Sequence, residues 1–148
     1  MESIEYFSNT IAKDFFLMCA GQKIGRGASR EVFEWKPNPE YVVKIELSKQ
    51  SFSNAMEWDV WSRVQGTNIE KWFAPCVSIS DCGTVMLQKK TNARLESEYP
   101  RKIPRFFTDT KYGNFGFIGD QLVCHDYGIN LLMEYGMNEK LKKAEWWK

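Results

Sequence analysis

Asp109-Thr110-Lys111-Tyr112-Gly113-Asn114 is followed, twelve residues after Asn114, by Asp126-Tyr127-Gly128. Phe115 to Ile118 and Gln121 to Cys124 read as two short strands around Gly119-Asp120, so the two motifs flank one hairpin. Asp-Tyr-Gly by itself is a common loop tripeptide. The ordered pair at this spacing is far less common, and it directs attention to what precedes it.

Upstream, Cys76 to Ile79 and Thr84 to Gln88 predict a second hairpin around Asp81-Cys82-Gly83, a normal turn signal. Before it, a helix is expected from Ser53 to a stop at Gly66. Met56, Val60 and Val64 mark one stripe of that helix, and Glu57 and Trp61 a neighbouring one. Residues 22–47 read as a hairpin within a larger antiparallel sheet. A glycine-containing turn, Gly25-Arg26-Gly27-Ala28-Ser29, leads into Val32, Phe33 and Trp35; after two prolines comes Tyr41-Val42-Val43-Lys44-Ile45, with a lysine among branched residues. Residues 3–20 carry the apolar spacing of an amphipathic helix, with Ser3 as N-cap and Gly21 as its stop. Residues 89–105 show little regular pattern, and 138–148 read as a short basic helix from Asn138.

In order and spacing these parts resemble the protein-kinase-like fold. The resemblance covers roughly residues 22–128 and implies a role for each matching position. Gly25, Gly27 and Ser29 lie in what looks like the glycine-rich loop over a nucleotide, where absent Cβ atoms let backbone approach phosphate. Lys44 is similar to the strand lysine that holds the α- and β-phosphates, and Glu57 to the helix acid that orients it, in a partly solvated groove. Gln88 and Lys89 would form the hinge that binds adenine through backbone, with Leu87 beside it. Asp109 matches the base that positions the attacking hydroxyl, and Lys111 the γ-phosphate lysine. Asn114 and Asp126 match the metal ligands. The implied co-substrate is ATP, with Mg²⁺ as the cation.

The departures are equally specific. Arg30 stands where the loop pattern has its third glycine, either as a phosphate binder or as a residue closing the pocket. Phe107-Thr108 replaces the His-Arg that precedes the catalytic Asp. Only about 20 residues separate the hinge from Asp109, too few for the usual intervening helices, and no Ala-Pro-Glu motif follows. The expectation is therefore an α+β fold. It comprises a kinase-like small lobe (a twisted antiparallel sheet with one packed helix), a short catalytic hairpin and a minimal C-terminal lobe, similar to compact kinase-like proteins of the phage and bacterial type. As one domain, 1–148 would divide into an N-terminal helix (1–21), small lobe (22–88), connector with catalytic and metal loops (89–128) and tail (129–148).

Composition sets the outer limits. In 148 residues, 43% hydrophobic with 10 Phe, 6 Tyr and 6 Trp, there is enough apolar surface for a core without staples. Net charge is +1, which drives the chain toward neither nucleic acid nor membrane. Lys89-Lys90, Arg101-Lys102-Arg105 and Lys140 to Lys148 read as solvated surface ahead of a phosphate-contacting patch, and so do Phe106 and Phe107 beside the second cluster, ahead of a base-stacking role. Trp146-Trp147 is expected to dock on the sheet. The longest apolar run, Phe15 to Ala20, is too short to span a bilayer. The acidic start, Met1 to Glu5, lacks the charge pattern of a signal peptide. Cys19, Cys76, Cys82 and Cys124 form no C-x-x-C pair, which suits reduced thiols, and with His125 they lack zinc-ligand spacing. A cytoplasmic phosphotransferase acting on a protein hydroxyl is the expectation. The alternative is a pseudokinase-type binding or inhibitor protein that engages a partner protein without phosphoryl transfer.

Overall fold

Branched and aromatic residues recur through 20–47 and 76–89, and the computed structural model turns them into strands; it describes residues 15, 16, 18–48 and 50–148. These residues form an α+β chain of two units, the first reaching to Met56 and adding Cys76–Lys90, the second comprising Glu57–Pro75 and Thr91–Lys148.

The first unit is one antiparallel sheet. Its strands are β1 (Ala20–Arg26), β2 (Arg30–Trp35), β3 (Tyr41–Glu46), β4 (Cys76–Ile79) and β5 (Val85–Lys89), ordered β1-β2-β3-β5-β4. Alternation along a strand gives the sheet two faces. Phe33, Val43 and Ile45 share one face and pack with Phe16, and Ala20, Trp35, Val85 and Leu87 close that cluster. The other face carries Val32, Lys44 and Met86 directly opposed across three strands, with Gly25, Val42 and Gln88 in the same register.

Helix α1 (Ser53–Val64) starts in this unit, and its residues from Glu57 onward belong to the second. Val60, Trp61 and Val64 are buried, whereas Met56 is exposed despite its place in the expected stripe. Gly66 ends the segment with φ +82°. The second unit has only short strands. β6 (Lys102–Pro104) pairs with β9 (Leu141–Lys143), and β7 (Phe115–Ile118) with β8 (Gln121–Cys124) around Gly119-Asp120. Aromatic packing does the work that long elements do elsewhere. Phe73 stacks on Phe106 at 5.6 Å and meets Tyr127 edge-on at 4.9 Å. Trp146 stacks on Tyr112 at 5.3 Å and meets Phe115 edge-on at 5.0 Å. Each such pair contributes about 0.5–1.5 kcal/mol beyond its buried area, a large share where strands are three or four residues long.

Several expectations change. The N-terminal helix lies mostly outside the described residues; Phe16 and Cys19 are helical, but Ala20 already opens β1. Gly21 is thus a strand residue and not a helix stop, and a Cβ there would lie 3.0 Å from Glu34 Cβ on β2. The segment before Arg30 is a full strand rather than only a turn. The irregular connector contains β6, and residues 138–148 do not form the expected helix: β9 pairs with β6. Ala144 N–H donates to Arg101 O and Arg105 N–H to Lys140 O, so partner-strand bonds replace helical ones. Trp146 docks in the aromatic core of the second unit. Phe106 and Phe107 are buried there too, which corrects the solvated surface expected for them and removes them as base-stacking platforms.

Gly116 shows how tightly this unit is built. A Cβ on it would stand 2.7 Å from Thr91 Cβ and 3.2 Å from Asn92 O. Gly116→Ala is expected to cost about 1–3 kcal/mol through overpacking. Gly27→Ala, with nothing within 4 Å of the added atom, should stay within about 0.5 kcal/mol. Urea unfolding of the two variants checks both.

Candidate functional site

In the first unit, the chain reverses between β1 and β2 over Ala28-Ser29, where Gly27 N–H donates to Arg30 O at 2.8 Å. The described glycines with positive φ are Gly66, Gly83, Gly119 and Gly136, so neither Gly25 nor Gly27 needs glycine for its backbone conformation. A Cβ on Gly25 would come no closer than 4.0 Å to Val32 Cβ, and one on Gly27 would meet nothing. Internal packing therefore does not demand glycine at these two positions. Their effect is to leave bare backbone at the hairpin end, open to an approaching group. The Ser29 hydroxyl is engaged with Ser53 Oγ at 2.7 Å.

Lys44 is 3% exposed, which corrects the partly solvated groove expected for it. Beside it lies a buried polar network centred on Asn54. Asn54 Oδ1 accepts from Arg30 Nη1 at 3.1 Å, and its Nδ2 faces the carbonyls of Lys44, Gly83 and Thr84 at 2.9–3.1 Å. Asn54 N–H donates to Glu46 Oε1 at 2.5 Å, placing a carboxylate at the start of α1, where the helix dipole favours it. Arg30 thus braces the helix start.

Strand register fixes where Leu87, Gln88 and Lys89 lie. Leu87 opposes Val43 and packs in the hydrophobic cluster, on the sheet face opposite Lys44. Met86 lies directly across from Lys44 and is fully buried. Gln88 lies between Val42 and Cys76 on the two flanking strands. Because Lys90 N–H donates to Glu40 O, alternation turns the Gln88 backbone toward β3 as well and the Lys89 backbone away from it. The Lys89 ammonium pairs with Glu40 at 3.4 Å.

In the second unit, the motifs that flank the β7–β8 hairpin are brought side by side. Lys111 N–H donates to Asp109 Oδ1 at 3.2 Å, and Asn114 Nδ2 to Asp109 O at 3.4 Å. His125 N–H donates to Asn114 O at 2.9 Å, so Asp126 follows one residue after this backbone tie. The His125 ring adds two ties of 2.7 Å, from Nε2 to Gly113 O and between Nδ1 and Thr91 Oγ1. A carbonyl only accepts, so Nε2 carries the proton. Glu57 is fully buried and its Oε2 accepts from Tyr127 N–H at 2.9 Å; Tyr127 OH donates to Ala74 O at 2.7 Å. Asp109, Lys111 and Asp126 are exposed.

This unit therefore gathers Asp109, Lys111, Asn114 and Asp126 and ties Asp-Tyr-Gly to Glu57, while Lys44 and the glycine turn belong to the first unit. His125 escaped the sequence reading as an organiser because there it was weighed only as a zinc ligand. The Asn114 amide oxygen and the Asp126 carboxylate are hard donors of the kind Mg²⁺ takes, with water and phosphate oxygens completing the shell. Among the described residues no group of three or more His, Cys, Asp or Glu is placed to hold a metal ion. All four cysteines are free thiols, and hydrogen bonding from Thr84 holds the exposed Cys82 thiol below its ordinary pKa.

These features define a small α+β protein with an ordered acidic and amide loop pair. No family model and no curated protein matches the chain. Among the described residues, no helix is long and apolar enough to cross a membrane.

Glu57 offers a direct test of the tie. Glu57→Ala leaves the buried Tyr127 N–H without this acceptor and should cost about 1–3 kcal/mol. Glu57→Gln keeps an acceptor oxygen and should lose less. Chemical denaturation of both variants measures the difference.

Proposed function

We propose that the chain is an ATP- and magnesium-dependent phosphotransferase of the protein-kinase-like type, acting on a protein hydroxyl. One observation carries the reading: the loop Asp109–Asn114 and the turn Asp126–Gly128 are held together through His125, with Glu57 fixing the turn. The bare backbone at Gly25 and Gly27, which packing does not explain, supports a phosphate-facing role for the β1–β2 turn.

In this reading Lys44 holds ATP phosphates and the Lys89 backbone meets adenine. The acceptor hydroxyl oxygen forms a bond to the γ-phosphorus. The bond from that phosphorus to the β,γ-bridging oxygen breaks, its electron pair leaving on ADP. The hydroxyl proton passes to Asp109, and Lys111 offsets charge on the transferred group. Asn114 and Asp126 are the residues that would hold Mg²⁺, which when bound neutralises phosphate charge.

Asp109→Asn should keep Mg·ATP binding and lose about 10²–10⁴-fold in turnover. Asp126→Asn should lose both, and Lys44→Met should weaken ATP binding. Thermal shift with and without Mg·ATP, paired with ³²P transfer, reads these outcomes. Binding without transfer in the unaltered chain would point instead to the pseudokinase-type binding protein, and no nucleotide binding would end both nucleotide readings.

A further inference from the structure

Neighbouring residues of an extended chain send their side chains to opposite sides, and Trp146 and Trp147 make use of this. Trp146 enters the aromatic core of the second unit, its Nε1 donating to Pro100 O at 2.8 Å. Trp147 turns the other way. Its N–H donates to Thr110 O at 3.2 Å and its carbonyl accepts from Tyr112 N–H at 2.9 Å, so the segment runs parallel beside the loop at Lys111. The Thr110 hydroxyl donates to Glu145 O. On this frame, Trp147 Nε1 donates to Asp109 Oδ1 at 3.0 Å, the same oxygen that accepts Lys111 N–H. The indole also lies 5.3 Å from Lys111 Nζ, within cation–π range. The ring remains 49% exposed, so burial alone does not account for its placement.

We propose that Trp147 is a positioning residue for phosphoryl transfer, holding Asp109 by one oxygen so that the other faces the acceptor hydroxyl, while its ring steadies Lys111. The role rests on the phosphotransferase reading. Both donors grip Oδ1 of an exposed carboxylate. The proton released as the hydroxyl oxygen bonds to phosphorus, and as ADP departs with the bridging-oxygen electron pair, then goes to Oδ2. A carboxylate free to rotate would present its oxygens at random, and the double grip removes that freedom.

Trp147→Phe keeps a ring over Lys111 and deletes the N–H donor. In the full-length chain, with Mg·[γ-³²P]ATP and dephosphorylated casein as acceptor, this variant should lower kcat by about 10- to 100-fold and leave the KM for ATP unchanged. Trp147→His, which retains a ring N–H, should recover part of the loss. A second measurement needs no turnover. The Trp147 indole resonance in a ¹H–¹⁵N spectrum, assigned by its absence in Trp147→Phe or Trp147→His, should move in Asp109→Ala. Wild-type kcat in a folded Trp147→Phe variant overturns the positioning role and leaves the phosphotransferase reading standing. An indole resonance unmoved in Asp109→Ala overturns the positioning role even if Trp147→Phe fails to fold. Absence of transfer by the unaltered chain removes the phosphotransferase reading and this role with it.

Discussion

A carboxylate with no exposure to water needs hydrogen-bond donors, and the Glu57 carboxylate finds one in the backbone N–H of Tyr127. Much of the second unit follows from that bond. It fixes the middle of Asp-Tyr-Gly to helix α1, while the Tyr127 ring fills the space beside Phe73 and its hydroxyl closes on Ala74 O. With the turn held from three directions, Asp126 has a defined place. His125, one residue earlier, transmits that order to Gly113 and Asn114.

The glycines separate into two groups by physical need. Gly83 and Gly119 adopt positive φ in hairpin turns, and Gly21 and Gly116 admit close neighbours that a Cβ would displace. Gly25 and Gly27 meet neither condition. In a folded chain a glycine carries an entropic cost against alanine, so two that the local packing does not require are notable at the end of a hairpin ahead of a buried strand lysine.

The first unit concentrates its buried polar groups on one stretch. Arg30, Asn54 and Glu46 join β2, the start of α1 and β3, and the Lys44 carbonyl is part of the same network. Polar side chains this deep are tolerable only when hydrogen-bonded, and a satisfied network specifies one arrangement of strand and helix. The strand that bears Lys44 is thereby held in register from both flanks.

Local sequence determined most of the elements. Alternating branched residues and Gly or Asp turn signals were enough for β3, for both later hairpins and for the helix beginning at Ser53, because turn chemistry and periodicity act within a few residues. The pairing of Asp109–Asn114 with Asp126–Gly128 was legible as a motif, since the hairpin that joins them is short. Tertiary structure alone decided the rest. Which face Leu87 takes depends on strand register, and a one-residue difference exchanges it with Met86. The tail reads as helical from Asn138 by composition, yet β9 forms because β6, some forty residues earlier, offers unpaired backbone. The meeting of Trp147 with Asp109 arises from the anchoring of Trp146 among aromatics distant in sequence, and contacts across such separations leave no mark on local pattern.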